Sequence, residues 1–357
     1  MTNLICICII LNIGKIRKKW EESNENNYLS LTHFFSKAFF LGIGVSKVLI
    51  DARESTIFSL ILGTIMGVII LWFISKLNYY KVNSFKKIIM FILIFVLFII
   101  GLDELTNLIS SIYLIDSNTF FIMLPLLLVI LYMNSKEVTV HLKIANMLLF
   151  IFAGMVLISF FGLIQEIEVL NYLPLFIVSF KKIFFAGFEF ALFSTVPNIL
   201  YGGIKKNFES KNLTKKLIVR YLLSNLFISI IIITTQGVMG IDLIELFKYP
   251  EYVVLKKISL LDFINNIENI LSFCLIFVIY IFLSICSKQL YDMCYETFKK
   301  KWIYPAFLIV SLFFISNFIF DNVKFFIIIS KYSWLICLIV LVIYILINIG
   351  SLKKEKK

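Results

Sequence analysis

The feature that most limits what this chain can become is a series of apolar blocks, typically about 18 residues or longer, the length at which a helix crosses the hydrocarbon core of a bilayer. Strands of an outer-membrane barrel would alternate polar and apolar residues over shorter segments, and these blocks do not. In lipid no water satisfies backbone N–H and C=O groups, so each block must close its own hydrogen bonds as a helix. Composition agrees: 16% of the 357 residues are charged and 61% are hydrophobic. A soluble domain carries about a quarter charged residues, and this chain lacks the polar surface to cover a water-soluble globule. It reads as an all-α integral membrane protein.

The blocks predict ten spans, at roughly 34–50, 56–75, 88–114, 119–134, 143–165, 183–204, 217–239, 264–287, 303–320 and 332–350. Lys and Arg crowd into alternate connections. They do so at Lys15–Lys19, Lys76–Lys87, Lys136–Lys143, Lys205–Arg220, Lys288–Lys301 and Lys353–Lys357, while the opposite connections mix fewer bases with acids such as Asp116, Glu166, Glu168, Asp242 and Glu245. Positive charge stays in the cytoplasm, which predicts that both termini lie inside. The net charge of +12 is then a topology signal and not a nucleic-acid footprint, because no soluble basic domain exists to carry one. The expected organisation is a cytoplasmic segment 1–33, a ten-helix membrane domain 34–350 and a basic cytoplasmic tail 351–357. Residues 3–14 are apolar but too short to span. They fit an interfacial segment or an upstream extension of the reading frame better than a signal peptide, since no basic residue precedes them and no small-residue cleavage site follows.

Several chemistries find no support in the sequence. Cys6, Cys8, Cys274, Cys286, Cys294 and Cys337 show no CxxC spacing, and His33 and His141 are far apart, so no clustered metal ligands are visible and no cofactor is expected. No phosphate loop, dinucleotide fingerprint, HExxH or GxSxG occurs, and no enzyme is expected. The chain holds 38 Phe, and aromatic stripes in it read as lipid-facing or helix-packing surface.

Ten spans split into two sets of five in opposite orientation, the arithmetic of an inverted-repeat transporter in which the first helix of each half is broken near mid-membrane. Span 1 holds Gly42-Ile43-Gly44, then Ser46 and Lys47; span 6 holds Ala186-Gly187-Phe188-Glu189, then Ser194-Thr195 and Pro197. Glycines there would let the helix unwind and offer freed backbone groups to a zwitterion or ion. Close helix packing by small residues is the competing reading. Intramembrane charges are costly unless paired or wetted, and four stand out: Lys47, Asp103, Glu104 and Glu189. Lys47 would either pair with a carboxylate of span 3 or snorkel outward beside Asp51, Arg53 and Glu54. Glu189 would contact a ligand or ion, or serve as a structural hydrogen-bonding group.

Five stretches then resemble one family. They are Phe39-Phe40-Leu41-Gly42-Ile43-Gly44 running on through Ile50-Asp51-Ala52-Arg53-Glu54 to Leu62-Gly63; Leu102-Asp103-Glu104-Leu105-Thr106-Asn107; Ser135-Lys136-Glu137-Val138; Leu173-Pro174-Leu175 with Lys181-Lys182-Ile183 and Ala186-Gly187; and Tyr249-Pro250-Glu251 with Asp262-Phe263-Ile264 and Asn266-Ile267-Glu268-Asn269. Together the chain is similar to the membrane-permease-like B subunit of spore germinant receptors (the GerAB type), within the amino acid–polyamine–organocation transporter superfamily. The likeness covers nearly all of 34–350. It departs where the family has an Arg–Glu pair in span 3, here Asp103 and Glu104. It departs again at Asn107 for an acid, at Asn266 for an Arg, and at Ile115-Asp116-Ser117-Asn118 for a Leu-Pro-x-Thr-Pro turn.

The resemblance implies sensing of a small nutrient, such as an amino acid, at a mid-membrane site. That site would be formed by Gly42, Ile43, Gly44, Ser46, Glu104, Asn107, Gly187, Phe188 and Glu189. The implied partners are an A subunit and a lipoprotein C subunit, and the implied place is the spore inner membrane. The alternatives are an H⁺- or Na⁺-coupled amino acid transporter, with Glu104 or Glu189 as the ion site, and a structural subunit without a ligand.

Overall fold

A computed structural model of the protein describes residues 29–77, 84–114, 117–204, 213–257, 267–315 and 323–352. The apolar stretch 3–14 with Cys6 and Cys8, Asp116, the bases Lys81, Lys205, Lys206 and Lys211, the Asp262–Asn266 motif and the tail bases 353–357 lie outside the described residues.

Among the described residues there are helices and turns and no strand. A helical stretch 29–38 passes through a π-helical turn, Phe40–Gly44, into α1 (Val45–Ala52). Then follow α2 (Thr56–Lys76), α3 (Ser84–Ile112), α4 (Thr119–Asn134), α5 (Val138–Leu163) and α6 (Phe180–Thr195), the last continuing as a 3₁₀ turn Val196–Leu200. The chain ends with α7 (Leu213–Ile244), the short α8 (Pro250–Val253), α9 (Ile267–Phe298), α10 (Ile303–Ile315) and α11 (Val323–Leu352). Among the described residues, seven helical segments are long and apolar enough to cross a membrane, and Thr119–Asn134 and Ile303–Phe313 are shorter apolar helices.

These helices form because their sequences leave no other option. α2 and α4 are apolar nearly all round, the pattern of a helix with hydrophobic surroundings on every side. Pro125 sits inside α4, which neighbouring helices tolerate at membrane depth. Asn118 starts that helix by accepting from the Phe120 amide at 2.8 Å.

The segments Phe180–Gly203 and Ser272–Phe298 are the most enclosed, and Val45–Lys76, Val138–Glu166 and Lys331–Ile349 are peripheral. The peripheral helices turn large apolar side chains outward, among them Ile61, Ile65, Ile69, Met147, Phe150 and Phe161. An apolar belt of that extent belongs against lipid and not water. The interior, by contrast, holds polar groups that hydrogen-bond between helices. Asn134 Nδ2 donates to Ser287 Oγ at 2.9 Å, and Ser287 meets the Tyr304 hydroxyl at 2.8 Å, joining α4, α9 and α10. Apolar outside and selectively polar inside, this is an all-α fold of the membrane type.

Several expected boundaries shift: α5 begins at Val138 where 143 was expected, α9 runs to Phe298 past the expected 287, and α11 begins at Val323 ahead of 332. The first helix is already formed at residue 29, ahead of the expected start at 34. The segment beginning at Ser84 starts four residues before its expected 88 and ends at Ile112.

Candidate functional site

The region around Gly42–Gly44 is not unwound. Phe40–Gly44 is a wound π-helical turn flanked by helical backbone at Phe39 and Val45. Such a turn holds one extra residue and redirects the side chains that follow it. Gly44 is required by its own neighbour: a Cβ there would stand 2.5 Å from the Phe40 ring, which folds back and meets Phe190 of α6 edge-on at 4.9 Å between centroids. Ser46, two residues on, donates to the Lys248 carbonyl at 2.9 Å.

The expected break at Gly187–Phe188 is absent. α6 runs without interruption from Phe180 to Thr195, and its geometry changes only at the 3₁₀ turn containing Pro197. Gly187 instead meets Gly63 of α2, and a Cβ on Gly187 would lie 2.8 Å from the Ser59 carbonyl oxygen and 3.2 Å from the Gly63 amide. The α2–α6 seam is the most extensive helix pairing among the described residues. Close packing, and not unwinding, accounts for this glycine.

The charges of spans 1, 3 and 6 do converge. Lys47 of α1 donates to Ser333 Oγ at 2.9 Å and to the Lys331 carbonyl at 3.2 Å on α11, and it lies in the field of Glu189, Asp51 and Glu104. It neither snorkels freely nor sits against span 3 alone. Asp51, one turn beyond Lys47, shares a side-chain hydrogen bond with Glu189 of α6. Two carboxyl groups can share such a bond only with a proton between them. Glu189 is buried, and its second oxygen, Oε2, has no hydrogen-bond partner.

On α3, Asp103 and Glu104 are both buried, and Asn107 Nδ2 donates to Asp103 Oδ1 at 2.9 Å. Two adjacent buried acids need a countercharge. The exposed Lys248, between α7 and α8, is the cation whose field reaches both Glu104 and Asp103. Of the residues expected to form the site, Ser46, Glu104 and Glu189 therefore join one polar region. Asn107 joins it through Asp103, Gly44 shapes the turn beneath it, and Gly187 belongs to the α2–α6 seam. Phe188 is half-buried beside that seam, and Gly42 and Ile43 lie in the π-helical turn.

Two contributors, and one buried charge outside the region, were not singled out from the sequence. Lys248 looked like one base of a mixed connection, and nothing local tied it to span 3. Asp51 carried a signal, since it sits four residues after Lys47 on the same helix face. Lys37 is fully buried in the stretch 29–38, its ammonium 4.6 Å from the centroid of the Phe152 ring and without a hydrogen-bond partner among the described residues. It lies inside the first predicted span and was legible by position.

Chemically, the region offers one carboxyl pair sharing a proton, a second pair of adjacent acids, and the ammonium groups of Lys47 and Lys248. That arrangement can bind a small ion or zwitterion and move a proton. No family model matches the chain, and no curated protein matches it.

Proposed function

We infer that the chain is a ten-span, permease-like receptor subunit that senses a small zwitterionic nutrient between its first, third and sixth spans. The observation that supports this reading is the convergence of Lys47, Asp51 and Glu189 with Asp103, Glu104 and Lys248. Separate cationic and anionic groups in one low-dielectric region suit a ligand that carries both charges. The five stretches that resemble the B subunit of spore germinant receptors extend the proposal to a role in germination. It would act with an A subunit and a lipoprotein C subunit, in the spore inner membrane, with both termini cytoplasmic. The two halves of the bundle would be related as an inverted repeat. Nutrient binding would favour one arrangement of the bundle in proportion to its differential affinity for the two states.

The proton shared by Asp51 and Glu189 favours a second reading, proton-coupled uptake of an amino acid. Germination of spores lacking this protein, tested against single amino acids and nucleosides, decides the first reading. Loss of response to one nutrient class, restored by the intact gene but not by Glu189→Ala or Gly44→Leu, is the expected result. Unchanged germination to every nutrient would overturn it. Gradient-driven uptake into vesicles by the purified protein would establish the second.

A further inference from the structure

Beside the charged region, α8 carries another buried acid. Glu251 is 2% exposed, and apart from its own backbone amide neither carboxylate oxygen has a hydrogen-bond partner among the described residues. It lines a cavity of about 10 Å³ together with Ser159 of α5 and Thr234 and Thr235 of α7. That volume holds the centre of a single water-sized sphere. The rest of the lining is apolar, including Val156, Leu163 and Leu255.

The hydroxyl protons of this lining are already committed. Ser159 donates to the Met155 carbonyl at 2.8 Å, Thr234 to those of Ile230 and Ile231 at 2.8 and 2.9 Å, and Thr235 to that of Ile231 at 2.7 Å. What these residues can still offer is oxygen lone pairs. The lining residues thus supply three neutral acceptors and one carboxyl group, and once that carboxyl is ionised, above about pH 8, they supply no donor. A water molecule would satisfy some of those lone pairs but would leave an ionised carboxylate without a countercharge. One carboxylate balances one positive charge, whereas a divalent ion would keep an excess charge in an apolar pocket. Magnesium in addition holds several waters, for which there is no room.

We propose that the cavity bounded by Glu251, Thr234, Thr235 and Ser159 is a binding site for one dehydrated monovalent cation of sodium size. Occupied, it ties the connection that carries α8 to both α5 and α7. This site is distinct from the Lys47–Glu189 region and does not depend on what that region binds.

The test is thermal unfolding of the purified full-length protein in detergent. Sodium chloride is titrated against choline chloride at constant ionic strength and at a pH above about 8, where Glu251 is ionised. The expected result is a saturable rise in Tm with sodium, on the order of 5 °C at a hundredfold excess over Kd. Potassium should require at least about tenfold higher concentration for the same shift, a difference of one decade in affinity. Glu251→Gln should abolish the shift. A Thr234→Val, Thr235→Val double variant keeps the side-chain shapes and should weaken sodium binding at least about tenfold, again one decade in affinity.

Protons should compete, so the sodium shift should shrink as the pH falls below about 8. The charged groups that could modify this are Glu104 and Tyr249, which sense Glu251, the neighbouring Lys248, and Lys257, which donates to the Val238 carbonyl of α7. No saturable sodium effect in the wild type, or an undiminished effect in either variant, would overturn the proposal.

Discussion

Gly63 of α2 and Gly187 of α6 face each other so closely that neither position has room for a side chain. A Cβ on Gly63 would run into the Gly187 carbonyl oxygen, and one on Gly187 would press on the Ser59 carbonyl oxygen at 2.8 Å. Both obstacles are backbone atoms, so no rotamer change can relieve them. The contact fixes the depth at which α2 seats on α6, and α6 carries Glu189 two residues further along.

Substituting Gly63 by Ala should therefore separate the two helices and cost about 1–3 kcal/mol, the usual penalty of overpacking. Gly154 of α5 is the control, because a Cβ there meets nothing within 4 Å. Gly154→Ala should be neutral or stabilising by about 0.5–1 kcal/mol, since alanine is the better helix former. Thermal unfolding in detergent reads both. If Gly63→Ala melts with the wild type, the helices are further apart than described.

A second glycine acts by conformation. Gly240 has φ 67° and ψ 163° inside α7, a region open essentially to glycine alone. The kink frees carbonyls of the preceding turn, and the 168–172 stretch takes them up. Asn171 Nδ2 and the Glu168 amide donate to Gly237 O at 2.8 and 2.9 Å, and the Tyr172 hydroxyl donates to Ile233 O at 2.7 Å. Gly240→Ala should cost about 1–3 kcal/mol from backbone strain, and Asn171→Ala about 1 kcal/mol from the lost bond. Because Asn171 also lies 3.0 Å from where the Gly240 Cβ would stand, the double variant should lose less than the sum. Additive losses would show that Asn171 is not coupled to the kink.

The helices were legible because hydropathy acts over the length of a bilayer, and a long apolar block has no alternative to a helix. What glycine does within a block was not legible. Gly187 and Gly240 both sit in apolar helical sequence, yet one packs and the other bends, and the deciding partners, Gly63 and Asn171, are distant in the chain. Of the candidate site, Lys47, Glu104 and Glu189 could be picked out because an intramembrane charge is costly wherever it falls. Lys248 could not, because its role depends on the return of the connection after α7 onto α3. Such contacts are set by tertiary packing, and local sequence does not encode them.

Lys37 provides a test of what a buried charge contributes. Its ammonium lies over the Phe152 ring at 4.6 Å and 5.7 Å from the centroid of Phe227, with His33 one turn away on the same helix face. Cation–π attraction of about 2 kcal/mol in a desolvated setting falls short of the several kcal/mol that burying the charge costs. Lys37→Met keeps the length of the side chain and removes the charge, so it should be neutral or stabilising by about 1–3 kcal/mol. A marked loss of stability in Lys37→Met would mean that the amine holds a partner essential to the fold.

The last prediction concerns pH and follows from Glu251. Burial pushes its carboxyl up from 4.5 to about 8. In the unfolded chain the group returns to its ordinary value, so between the two values the folded state holds a proton that the unfolded state has released. Stability from this group is fully present below about pH 4.5, declines as the pH rises, and is gone above about 8. At about 1.4 kcal/mol per pH unit the change is on the order of 5 kcal/mol across the interval. In choline buffers without sodium, the wild-type Tm should fall over this range. Glu251→Gln cannot titrate there, and its curve should be flatter by the same amount. Parallel curves for the two proteins would show that Glu251 is ionised in the folded state throughout, and hence that its surroundings already hold a compensating charge.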